Sequence, residues 1–107
     1  MWTEQTRKAW MPHRHLSWAG TVRGMELAEV QRLMEDLYGT ADRERGIPAT
    51  VAWLCEELGE LAQATRKGTP EQQLHELGDV LAWLASLANQ LDLSMDEAMA
   101  RYVTDPP

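Results

Sequence analysis

The reading of this chain turns on residues 52–84, AWLCEELGELAQATRKGTPEQQLHELGDVLAWL. Two acidic pairs, Glu57-Leu-Gly-Glu60 and Glu76-Leu-Gly-Asp79, flank Gly68 symmetrically: Glu57 and Asp79 lie eleven residues to either side, Glu60 and Glu76 eight. Each pair is spaced i, i+3, so on a helix its carboxylates share one face. A chain that turns back near Gly68 forms two antiparallel helices, with Glu57 opposite Asp79 and Glu60 opposite Glu76. Like charges so placed repel, and desolvation adds to the cost, unless cations neutralise them. One such pair reads as a solvated face. Two in register read as a divalent-metal site.

The flanking residues supply the helices. Pro48 fits the first turn of one, with an expected core stripe of Val51, Leu54, Cys55, Leu58, Leu61, Ala62 and Thr65. Arg66 and Lys67 suit its C-terminal dipole, and Gly68 is the expected cap. Thr69-Pro70-Glu71 reads as the N-cap, first-turn proline and first-turn acid of the next helix, with Leu74, Leu77, Leu81, Leu84, Ala88 and Leu91 as its apolar positions. Upstream, Leu27, Val30, Leu33, Met34 and Leu37 predict a helix from Glu26 to Tyr38 that stops at Gly39, followed by a polar loop from Thr40 to Gly46. Ser94 caps a short final helix running to about Tyr102. No alternating strand pattern competes. The expectation is all-α: a bundle of about four helices around a central antiparallel hairpin, apolar on more than one side and so completed by oligomerisation, as a homodimer or homotetramer.

At 107 residues the chain is one domain at most. We expect an N-terminal extension over residues 1–24, the domain over 25–104 and a tail over 105–107; Met25 is a plausible alternative start. The net charge of −7 is uneven. Residues 1–24 carry four basic residues and one acid, net +3, whereas residues 25–107 carry six basic and sixteen acidic residues, net −10. So acidic a domain argues against nucleic-acid polymer as partner. Cys55 is the only cysteine, read as a small buried thiol, and excludes an intrachain disulfide. No apolar run approaches the roughly 18 residues of a membrane span, so no membrane partner and a cytoplasmic location are expected.

The mirror extends further. Trp53 and Trp83 each lie fifteen residues from Gly68, within a repeated Ala-Trp-Leu tripeptide. They serve either core packing or stacking on a ligand. Gly59 and Gly78 suggest either close helix approach at the acids or looser packing with no role. Di-iron bundles place a His three residues after a Glu; here those positions hold Glu60 and Asp79, and an all-oxygen set favours Mg²⁺ or Mn²⁺. His75 is read as a surface or loop-edge residue.

Glu57-x-x-Glu60, fifteen residues, then Glu76-x-x-Asp79, set in AWLCEELGEL and ELGDVL, resembles the signature of the MazG-type all-α nucleoside triphosphate pyrophosphohydrolases. The resemblance covers roughly Met25 to Val103. It implies a hydrolase with Glu57, Glu60, Glu76 and Asp79 as metal ligands, a nucleoside triphosphate substrate and cleavage between the α and β phosphates. A water, metal-bound or carboxylate-oriented, would attack phosphorus, with Glu56 or Glu57 as the orienting group. Trp53 and Trp83 become candidates to stack on the base, and Lys67, Arg66 and Arg101 candidates to hold phosphate, with Arg43 and Arg45 behind them. Longer members carry a Lys and an Asn on or after the last helix; here Arg101 offers a cation and no Asn follows. The alternatives are a non-catalytic helical interaction module, or a related enzyme acting on dUTP or phosphoribosyl-ATP.

Overall fold

The computed structural model describes residues 24–107, and all but the last residue of the expected N-terminal extension lies outside the described residues. Among those described are four helices and no strand: α1 (Leu27–Arg45), α2 (Ile47–Lys67), α3 (Pro70–Gln90) and α4 (Met95–Thr104). The hairpin of α2 and α3 is the most extensive packing, α1 lies across it mainly on α3, and α4 rests on α1. No described helix is long and apolar enough to cross a membrane.

The caps follow local chemistry. Thr69 Oγ1 accepts from Gln72 N (3.2 Å) while Gln72 Oε1 accepts from Thr69 N (2.8 Å), a reciprocal box that starts α3. Ser94 Oγ does the same single-handed for Glu97 N at α4. Pro48 sits in the first turn of α2 as expected.

The first helix runs past its expected stop. Gly39 lies inside α1, and the segment from Thr40 to Arg45, expected as a loop, is helical. One Gly weakens a helix by only about 1 kcal/mol, and this last stretch is held from outside. Asp42 is buried and accepts from Arg45 Nη1 (2.8 Å), and Arg43 grips Glu35 bidentately two turns back. The break comes instead at Gly46, whose φ of +87° favours glycine.

The core is small. Met34 of α1 packs with Ala82, Trp83 and Ala85 of α3, flanked by Val30, Tyr38, Trp53, Leu54 and Met95. A polar clasp closes the far end: Gln31 Nε2 donates to Asn89 Oδ1 (3.1 Å) and Leu93 O (2.8 Å), and Gln31 Oε1 accepts from Met95 N (2.9 Å).

Much of the expected core stripe points outward. Val51, Leu58, Ala62, Thr65 and Cys55 on α2 are exposed, as are Leu74, Leu77, Leu81 and Leu84 on α3 and Leu91 just past its end. The buried-thiol reading of Cys55 is therefore corrected. On α2 the fully buried positions are Thr50, Glu57 and Ala64, and on α3 they include Asp79, Ala82 and Trp83. The buried faces of α2 and α3 thus hold the acids Glu57 and Asp79 alongside small apolar residues and Trp83.

The glycines divide likewise. Gly59 is exposed, and a Cβ there meets nothing within 4 Å, so the expected close approach does not occur at that position. At Gly68 a Cβ would stand 2.7 Å from Ala64 O and 2.9 Å from Ala64 Cα, both rigid backbone. Thermal unfolding should therefore separate two matched variants. Gly68→Ala should lose about 1–3 kcal/mol by overpacking, whereas Gly59→Ala should gain about 0.5–1 kcal/mol from helix propensity.

Candidate metal centre

The turn at Gly68 and the capping box at Thr69 fix the register of α2 against α3, and that register sets the acids facing one another. Glu57 and Asp79 are only 2% and 1% exposed; Glu60 and Glu76 are half-buried. Oxygens of Glu57, Glu60 and Glu76 lie within 4.8 Å of one another. A second set, of His75, Glu76 and Asp79, meets the same 4.8 Å limit, so Glu76 joins the two. Carboxylates packed this tightly in a dry interior repel strongly, and a divalent cation fits the donor chemistry. The four acids named from the sequence thus occupy one contiguous centre.

His75 is the residue that sequence reading missed. It is half-buried, not at the surface, and its Nε2 stands 3.4 Å from Asp79 Oδ2. The signal was available, since His75 and Asp79 are spaced i, i+4 and share a helix face. Its nitrogen lies within reach of the centre, so the available donors are not oxygen alone. An imidazole beside a carboxylate in this way commonly orients it as a metal ligand.

One turn along each helix the mirrored tryptophans meet. The Trp53 and Trp83 rings are stacked, with centroids 6.3 Å apart and planes inclined by 19°. Trp83 is buried and Trp53 half-buried, so Trp83 belongs to the core, while Trp53 keeps some exposure. Arg45 lies over the Trp83 ring at 4.6 Å from its centroid, a cation–π contact. Arg45 also donates to Asp42 Oδ1 and, at 3.5 Å, to Thr50 Oγ1, which in turn accepts from Gln90 Nε2 (2.8 Å). Tyr38 sits beside this network. Burial, and then the negative charges of Asp42 and Asp79, hold its hydroxyl protonated well above the usual tyrosine range.

The remaining candidates are spread around the rim. Glu56 is exposed beside buried Glu57, and Arg66 and Lys67 are exposed in the last turn of α2. Arg101 is exposed on α4, donating to Tyr102 Oη (3.1 Å) and lying over that ring. Arg43 is committed to Glu35.

The family model described as MazG nucleotide pyrophosphohydrolase domain matches residues 45–104, which hold both acidic pairs. A protein of Bacillus subtilis (strain 168), described as uncharacterized protein YpjD, is 43% identical over 65 residues. The alignment takes in 51% of this chain and 59% of that protein, so this chain spans well under two thirds of its relative's length.

If the acids hold a cation, adding Mg²⁺ or Mn²⁺ should raise the melting temperature. At a concentration about 100 times Kd the expected gain is about 2.7 kcal/mol. Glu57→Gln should abolish that response while melting higher than the parent in metal-free buffer, because it removes one of the repelling charges. An unchanged metal response in this variant would exclude Glu57 from the donor set.

Proposed function

The chain belongs to the MazG nucleotide pyrophosphohydrolase family, and from that premise we propose that it hydrolyses a nucleoside triphosphate to the monophosphate and pyrophosphate. The observation that carries this reading is the cluster of Glu57, Glu60, Glu76 and Asp79, two of them buried and two half-buried, whose oxygens lie close enough together to suit a cation. A house-cleaning role on non-canonical or deoxy nucleotides is the corresponding biological assignment.

In this reading the four carboxylates hold Mg²⁺, or Mn²⁺ in its place, and His75 steadies Asp79. The bound cation would supply charge neutralisation for the phosphates as negative charge develops. The water oxygen bonds to one of the two phosphorus atoms, and the bridging bond between the α and β phosphates breaks. The bridging oxygen keeps the electron pair and leaves with the departing phosphate group, and the proton of the water passes to the carboxylate that orients it. Of the two carboxylates named for orienting that water, buried Glu57 lies in the cluster and exposed Glu56 beside it. Lys67, two helical turns or about 10 Å beyond Glu60, and Arg66 next to it would supply positive charge for the outer phosphates.

The outward leucines belong to the same proposal. Leu77, Leu81 and Leu84 follow i, i+4, i+7 spacing on α3, and each is at least 40% exposed. A contiguous apolar face of this kind marks an association surface, and a second copy of the chain would cover it. That copy would also bring its own cations near the rim.

Incubating the full chain with Mg²⁺ and a panel of canonical, deoxy and modified triphosphates should release pyrophosphate from at least one. No release from any of them, with metal still bound, would sink the enzyme reading. Glu60→Gln and Asp79→Asn should each lower turnover by roughly 100-fold or more while leaving the helical content intact. Separately, Leu77→Glu with Leu81→Glu should shift the sedimentation coefficient to that of a monomer. If the parent chain already sediments as a monomer, the association surface is refuted.

A further inference from the structure

Arg45 and Asp42 are not explained by the metal centre. The Arg45 side chain is only 19% exposed and that of Asp42 5%, and the two are joined at 2.8 Å. The charge of Arg45 is thus matched by Asp42 and does not serve as a free cation for a polyphosphate. Asp42 also has an oxygen to spare. Its Oδ1 accepts from Arg45, while Oδ2 is buried and has no hydrogen-bond partner among the described residues. A buried acceptor left so is costly, and native structures seldom keep one without a ligand or water to satisfy it.

The location gives this spare acceptor a purpose. Tyr38, Asp42 and Arg45 are spaced i, i+4, i+7, one stripe along α1, and the stripe ends with Arg45 over Trp83. Trp83 is four residues beyond Asp79 on α3 and seven beyond Glu76, or about 6 and 10 Å of helix rise. That is the scale separating the phosphates of a nucleotide from its base. Trp53 stacks with Trp83 and retains exposure, so a partly exposed aromatic ring adjoins the one that carries Arg45.

We propose that Asp42 and Arg45, with Trp53 and Trp83, form a nucleoside-recognition subsite in which Asp42 Oδ2 accepts a hydrogen bond from an N–H of the base. Arg45 holds the Asp42 carboxylate in place, and its remaining guanidinium N–H groups face acceptors on the same base edge. The base lies against Trp53, while Trp83 backs Trp53 and carries Arg45. A buried acceptor that needs a donor discriminates strongly, since a base lacking that N–H leaves it unsatisfied. The subsite rests on the nucleotide hydrolase reading but concerns binding, which requires no turnover.

The test is equilibrium binding to the full chain with Mg²⁺ present, using nucleoside triphosphates and inorganic tripolyphosphate as probes. Asp42→Asn should weaken the best-bound nucleotide by about 10-fold or more and leave tripolyphosphate within about twofold. Arg45→Met should do the same. Without any variant, the parent chain should bind a triphosphate N-methylated on the base edge about 10-fold more weakly than the unmodified one. Equal loss for nucleotide and tripolyphosphate, no change in either, or full tolerance of the N-methyl group would each overturn the subsite. Selective nucleotide binding with no pyrophosphate release would instead refute the hydrolase reading and leave the subsite standing.

Discussion

Four carboxylates forced to share the space between two antiparallel helices constrain everything else in this molecule. Glu57 and Asp79 are almost wholly withdrawn from water, and Glu60 and Glu76 complete the cluster within ligand-to-ligand distances. Such an arrangement works against folding until a cation offsets it. Near the turn the interior of the hairpin is taken up by carboxylates, and the hydrophobic core lies further along it, where Met34 meets Ala82, Trp83 and Ala85.

That arrangement bears on the exposed leucines. An amphipathic helix buries its apolar stripe when the stripe is the only thing seeking the interior. In α2 and α3 the inward face carries Glu57 and Asp79, buried beside Ala64, Ala82 and Trp83. Leu58 of α2 and Leu77, Leu81 and Leu84 of α3 are left on the outside. A single subunit so built has a thin core for its size, as small helical domains tend to.

The elements differ in how plainly the sequence announced them. The caps at Thr69 and Ser94, the first-turn Pro48 and the stop near Gly68 were legible because capping is a local matter of a few backbone N–H groups. The facing of Trp53 and Trp83 was legible because mirrored positions in a hairpin must meet. Gly39 misled, since its cost in a helix is small and is outweighed by the anchoring of Asp42, Arg43 and Arg45 further on. Cys55 and Leu58 misled for the opposite reason. Their apolar character said they would be buried but not by which partner. His75 was overlooked as a lone histidine, although its spacing to Asp79 placed both on one face.

By itself, the sequence determined the helices, the reversal at Gly68 and the register that brings Glu57, Glu60, Glu76 and Asp79 together, because helical period and chain reversal are set by short-range geometry. Only the tertiary structure decided which face of α2 and α3 turns inward, that α1 continues to Arg45, and that Arg45 lies between Asp42 and Trp83. Those outcomes depend on α1 crossing the hairpin, where residues about forty positions apart compete for the same volume. Periodicity along one helix carries no record of that contest.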